Sequence, residues 1–108
     1  MMLMEFSMSP LSQGESVSKF VARSLEIVAA SGLDYELHAM GTIVEGETAE
    51  VLQVLQQCFL AMQQDCQRIT CTAKFDFRTG HQGRIRAKVT SVERQLGRKL
   101  KTGAADES

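Results

Sequence analysis

Residues 2–9 alternate, with Met2, Met4, Phe6 and Met8 on one side and Leu3, Glu5, Ser7 and Ser9 on the other. That two-residue period marks a half-buried strand. Pro10 closes it, because proline has no N–H to give to a ladder. After a loop at 12–15, Ser16 is placed to cap a helix whose Val17, Phe20, Val21, Leu25 and Val28 share one face. Gly32 stands where a helix C-terminus ends. Residues 33–40 and 42–47 read as two strands joined by a reversal at Gly41, since glycine has the least restricted backbone. A second helix begins near Thr48, its N-cap, and carries Val51, Leu52, Leu55, Cys58, Phe59 and Met62. Residues 68–78 form the clearest strand, with Ile69, Cys71, Ala73, Phe75 and Phe77 on one face. A last helix over 84–96 has a narrow stripe of Ile85, Val89, Val92 and Leu96, and Gly97 ends it.

The order β-α-β-β-α-β-α, with one-sided strands and two long amphipathic helices, predicts an α+β fold. It is a ferredoxin-like β-α-β-β-α-β sandwich with a four-stranded antiparallel sheet and an additional C-terminal helix. A single domain is expected over 1–97, followed by a polar, disordered tail at 98–108. The first strand is central between the third and fourth, and the second lies at an edge. The helices are expected to cover the face built from Phe6, Leu37 and Phe75. The other face carries Glu5, Ser7, Ser9, Glu36, His38, Met40, Lys74, Asp76 and Arg78 and is left uncovered. On the third strand either Ile43 and Glu45 or Thr42 and Val44 point outward. Polarity favours Glu45, because an unpaired buried carboxylate is costly. A mixed face of this kind predicts self-association through the sheets, with polar pockets at the seam.

Composition changes this picture little. A chain of 108 residues, 44% apolar with one proline, predicts one compact domain rather than a disordered segment. There is no apolar run of membrane-spanning length, and Glu5 interrupts the apolar start, so a cytoplasmic protein without a signal peptide is expected. Cys58, Cys66 and Cys71 form no Cys-x-x-Cys pair and His38 and His81 are scattered, so no metal is assigned. Charge is uneven. Residues 1–83 carry five basic and ten acidic side chains, whereas 84–101 carry seven basic residues and only Glu93. The basic segment raises nucleic-acid binding, because an RNA-recognition domain shares the element order. Such a domain displays aromatics on its open face, but here Phe6, Phe75 and Phe77 take the core-facing parity. Carboxylates on the other face repel phosphate, so no nucleic acid is expected.

Catalysis is equally hard to assemble. Ser7 or Ser9 with His38 would need adjacent strands, which the proposed order denies them. Glu5, Glu45 and Asp76 are as well explained by ion pairs to Lys74 or Arg78. The loop after the first strand has neither the Cys-x-x-Cys of a copper chaperone nor the arginine of an acylphosphatase. A non-enzyme is expected.

Several blocks, in order, carry a resemblance. They are Ser7 with Pro10-Leu11, Gly14-Glu15-Ser16-Val17-Ser18, Ser31-Gly32-Leu33 with Tyr35 and Leu37, and Met40-Gly41-Thr42-Ile43-Val44-Glu45-Gly46-Glu47. Arg68-Ile69, Lys74 with Asp76 and Arg78, and Lys88-Val89 with Ser91-Val92-Glu93 continue it. Together they resemble the small thiamine-binding protein family, and Met-Gly-Thr-x-x-Glu-Gly-Glu is the most specific part. The resemblance implies a ferredoxin-like subunit that assembles into homodimers or homotetramers through its sheets. It also implies binding of thiamine or its hydroxymethylpyrimidine part, without catalysis and with no other cofactor. The chain departs from the family at Ser9, often an aromatic, and at Ala39, often a proline.

The implied ligand chemistry fits residues at hand. Glu45 or Asp76 can offset the thiazolium or accept from the amine, and Thr42 and Ser7 supply hydroxyls. Met8 and Met40 can pack on the rings. Ser7, Met8, Met40, Thr42, Glu45 and Asp76 are therefore the expected ligand residues. Thr42 and Glu45 lead because they lie in the most specific motif. The expected location is the uncovered sheet face beside the Met40–Glu47 hairpin, near a subunit boundary. The alternative is a structural or regulatory oligomerisation module without a small ligand.

Overall fold

The structure is a computed structural model that describes residues 1–11 and 18–102. In chain order it contains β1 (Met2–Pro10), α1 (Ser18–Ala30), β2 (Asp34–His38), β3 (Gly41–Gly46), α2 (Thr48–Gln63), β4 (Ile69–Phe77) and α3 (Arg84–Leu96). The strands form one antiparallel sheet in the order β2-β3-β1-β4, with α1 and α2 packed together against it. This is the ferredoxin-like arrangement expected from the alternation, with the first strand central. The proposed cap Ser16, Val17 and the loop with Gly14 lie outside the described residues.

Register decides which side chains are hidden. Met4 stands opposite Val44 and Phe75, Phe6 opposite Thr42 and Ala73, and Met8 opposite Cys71. Directly opposed residues share a face, so Met4, Phe6, Met8, Thr42 and Val44 all point to the helices. There Met4, Phe6, Met8 and Val44 meet Phe20 and Val28 of α1 and Val51, Val54, Cys58 and Met62 of α2 in one core. Leu37 and Phe75 share the parity expected of them but remain 57% and 41% exposed. They belong to the two edge strands, at the margins of the helical layer.

The helices bury narrower stripes than the sequence suggests. On α1 the hidden residues are Phe20, Ser24 and Val28, while Val21 and Leu25 are only half-buried. On α2, Val54 is buried and Leu52 is exposed. Its N-cap is Glu47 rather than Thr48, and the Glu50 carboxylate accepts from the Glu47 N–H at 3.2 Å. Gly41 also has a different reason from the one expected. Its φ is not positive. A Cβ there would sit 3.1 Å from the Phe6 carbonyl oxygen, so close approach to β1 is what excludes a side chain.

The face expected to lie open is partly covered. Glu45, Leu3 and Asp76 form one row across β3, β1 and β4, and α3 lies over that end of the sheet. Leu3 is 8% and Glu45 4% exposed as a result. Farther along the same face Glu5, Ser7, Thr72 and Lys74 stay exposed. Beyond α3 the chain folds back, the Leu100 N–H donating to the Glu93 carboxylate at 2.7 Å. Residues 103–108 lie outside the described part.

Candidate ligand site

At the α1 side of the sheet, a cleft of about 250 Å³ opens between β1, α1 and the β2–β3 turn. Phe6 and Met8 form its floor, Val21 and Leu25 one wall, and Leu37 and Met40 the other. Its size is near the lower end of small-molecule sites, about 300–1,000 Å³, and suits one ring system better than an extended ligand. Among its polar lining residues, Ser7, Ser9, Ser24, His38 and Thr42, two are buried hydroxyl residues. Thr42 is brought there by its register with Phe6 and Leu37. Ser24 is brought there by its place between Phe20 and Val28 on α1.

Both hydroxyl residues are hidden, with Thr42 at 4% and Ser24 at 5% exposure. Ser24 Oγ reaches Met62 Sδ at 3.9 Å, and a thioether is a weak acceptor. The Thr42 hydroxyl has no hydrogen-bond partner among the described residues. Among those residues no fully buried side-chain polar atom lacks a partner, so the Thr42 oxygen is open to the cleft. Among the described buried residues of the cleft, the Thr42 hydroxyl is the one without a hydrogen bond, and so is placed to gain one from a ligand.

Of the six expected ligand residues, Met8, Met40 and Thr42 line this cleft, and Ser7 borders it from β1 although its register sets it on the opposite face with Glu5. Met40, at the tip of the turn, is 87% exposed and forms part of the rim. Glu45 and Asp76 are elsewhere. Glu45 takes the opposite parity on β3, and both its oxygens accept from the Arg84 N–H, at 3.0 and 3.2 Å. It thereby satisfies the N-terminus of α3, whose N-cap, Gly83, has a left-handed backbone (φ 65°) and no side chain to do so. Asp76 holds Lys88 Nζ at 2.8 Å and Arg84 Nη2 at 2.8 Å. Those contacts, Lys88 first and then Arg84, hold its carboxyl down to about 2. The buried Arg84 guanidinium also donates to the Asp76 and Met1 carbonyls. These two carboxylates clamp α3 to the sheet and do not face the cleft. The cleft and the clamp lie on opposite faces, so the expected pairing of Thr42 with Glu45 around one ligand does not occur within a subunit.

Among the described residues no carboxylate lines the cleft. His38 stands at its rim with Nε2 3.3 Å from Glu36 Oε1. A larger groove of about 620 Å³ runs between α1 and α2, but Arg23, Glu26, Glu50, Gln53 and Gln57 make it a solvated polar surface. Size alone favours that groove. The buried hydroxyls favour the cleft. Ser24 is not among the residues the sequence points to, although the sequence holds one signal for it: a hydroxyl midway between Phe20 and Val28, four residues from each.

The family model described as thiamine-binding protein matches residues 4–93. The chain is 38% identical over 95 residues to the UPF0045 protein Mb1933 of Mycobacterium bovis, covering 87% of this chain and 93% of the relative. Among solved structures it is similar to the hypothetical protein MJ1052 of Methanocaldococcus jannaschii. There the TM-score is 0.77 and the identity 31%, covering 84% of this chain and 94% of that one. A Thermotoga maritima protein, provisionally assigned to thiamine biosynthesis or salvage, gives a TM-score of 0.74 over 84% of this chain and 97% of its own. At 21% identity that second likeness speaks for the fold alone. With nearly the whole folded part matched by one model, the chain belongs to the thiamine-binding protein family.

Proposed function

We propose that this protein binds thiamine or a related hydroxymethylpyrimidine compound, without catalysis, in the cleft between α1 and the β2–β3 turn. The carrying observation is Thr42, a residue only 4% exposed, whose hydroxyl has no partner among the described residues and opens to the floor of an apolar cleft. An aminopyrimidine has flat apolar faces for Phe6, Met8 and Leu25 and ring nitrogens that accept from a hydroxyl. Among the described residues the cationic thiazolium has no carboxylate to meet inside, because Glu45 and Asp76 are engaged by α3. The neutral pyrimidine is therefore the group that enters, and the thiazolium stays at the rim near Met40.

Nothing in this arrangement supports bond-making. The hydroxyls of Ser24 and Thr42 have no base hydrogen-bonded to them among the described residues, as a nucleophile requires. The reading places the protein in the cytoplasm, where its three free cysteines would stay reduced. It also takes the functional form to be a homo-oligomer, as the family resemblance implies.

Calorimetric titration with thiamine, hydroxymethylpyrimidine and thiamine phosphate tests the reading. Hydroxymethylpyrimidine should bind within about tenfold of thiamine, a difference of about 1.4 kcal/mol. Heat with the phosphate alone would point to an anion site and overturn it. Heat with none of the three would favour an oligomerisation module without a ligand.

A further inference from the structure

The six methionines of the chain divide by exposure. Met4 and Met62 are fully buried and Met8 nearly so, all three inside the core. Met1 and Met2 are half-buried, and Met2 pairs with Gly46 and Phe77 at the end of the sheet away from the cleft. Met40 alone stands open, 87% exposed at the tip of the β2–β3 turn. An apolar side chain so placed adds nothing to the core. It does line the ligand cleft, beside Leu37 and two residues from Thr42. Gly41 keeps the turn pressed against β1, since a Cβ there would stand 3.1 Å from the Phe6 carbonyl oxygen. The Met40 thioether is thus held at the mouth of the cleft, open to solvent on one side and to a ligand on the other.

We infer that Met40 is an oxidation site, at which a hydroperoxide converts the thioether to the sulfoxide and so lowers the affinity of the cleft for its ligand. The inference rests on the binding reading given above. In the step, a sulfur lone pair attacks one oxygen of hydrogen peroxide, an S–O bond forms and the O–O bond breaks. Sulfur gives up two electrons, and the second peroxide oxygen leaves as water with both hydrogens. The competing groups are shielded. Cys58 and Cys66 are buried and Cys71 is half-buried, and burial pushes all three thiols up, which leaves little thiolate to react. A thioether has no proton to lose, so access alone decides, and among the methionines Met40 has it. Oxidation turns a flexible apolar side chain into a polar one. The contact of sulfur with an aromatic ring, which the thioether offers a ligand at this rim, is lost. Thiol-dependent reductases return the sulfoxide to the thioether, which makes the change a reversible setting of the site.

The full chain, treated with limiting hydrogen peroxide and mapped by peptide mass spectrometry, should gain its first oxygen at Met40. Calorimetry of that singly oxidised protein should show thiamine binding weakened about two- to tenfold, the scale of one lost sulfur–ring contact. A methionine sulfoxide reductase with a dithiol should restore the affinity. Met40→Leu, whatever its own affinity, should titrate identically before and after peroxide. Saturating thiamine should slow the oxidation of Met40, because the bound ring covers the sulfur. A first oxygen on any other residue would overturn the inference, as would an oxidised protein that binds as tightly as the untreated one. Loss of affinity that persists in peroxide-treated Met40→Leu would do the same. Untreated protein that binds none of the three compounds is a failure of the binding reading itself, seen before peroxide is added, and the inference falls with it.

Discussion

Thr42 and Glu45 are three residues apart on β3 and equally hidden, each 4% exposed, but their side chains leave the strand on opposite faces. Glu45 meets the first amide of α3 and is fully engaged. Thr42 meets a cleft and no partner. Two buried polar residues of one motif thus have different physical meanings. The engaged one stabilises the fold, and the unengaged one is, under the function proposed above, where a ligand adds what the chain does not supply. Burial alone does not separate structural from binding residues; the state of the hydrogen bonds does.

The largest expected effect lies at the clamp. Glu45→Ala removes the acceptor from the Arg84 amide and should cost about 1.5–3 kcal/mol in urea unfolding, the usual scale for hydrogen bonds to a charged group. Thiamine affinity should stay the same. Lost affinity at unchanged stability would reverse the contrast and return Glu45 to the ligand.

Thr42→Val makes the opposite demand. The isosteric change should weaken binding by about three- to tenfold, equivalent to one neutral hydrogen bond of about 0.5–1.5 kcal/mol. The melting temperature should hold or rise, because the mutation removes an unpaired hydroxyl rather than a bond. A fall in stability with affinity intact would make Thr42 a structural residue. Ser24→Ala should act in the same direction but less, since Ser24 already has the weak Met62 contact to lose.

The smallest effect is in pH. The Asp76 carboxyl is held down to about 2 from an ordinary value of 3.8, so its contribution is complete above about pH 4 and is lost as pH falls through about 2. Urea midpoints of the wild type should decline across that window, and Asp76→Asn should flatten part of the decline. An identical slope in both proteins would show that Asp76 does not hold α3.

The alternation of β1 and β4 was enough to order the sheet, because a half-buried strand announces its inner face at every second residue. The family motif located the hairpin that borders the cleft. What the sequence could not convey was the tilt of α3. Its stripe of Ile85, Val89, Val92 and Leu96 shows an amphipathic helix but not which surface it meets, and Arg84, the buried residue that docks it, reads as one more cation in a basic segment. Glu45 and Thr42 were chosen together because they share a motif, yet alternation assigns residues three apart to opposite faces. Ser24 was passed over because a serine in an apolar stripe carries no periodic signal of its own.

The central place of β1 has a further consequence, in the order in which the chain is made. Its two neighbours come from residues 41–46 and 69–77, and its last ladder partner, opposite Met2, is Phe77. At about 5–20 residues per second, a ribosome delivers β4 several seconds after β1. During that interval one long side of a methionine-rich strand has no partner. Long-range pairings of this kind delay folding, so the domain closes as one late event instead of growing outward from its first half. A chain halted before residue 69 is an open-sided fragment, not a smaller domain, and a natural client of chaperones.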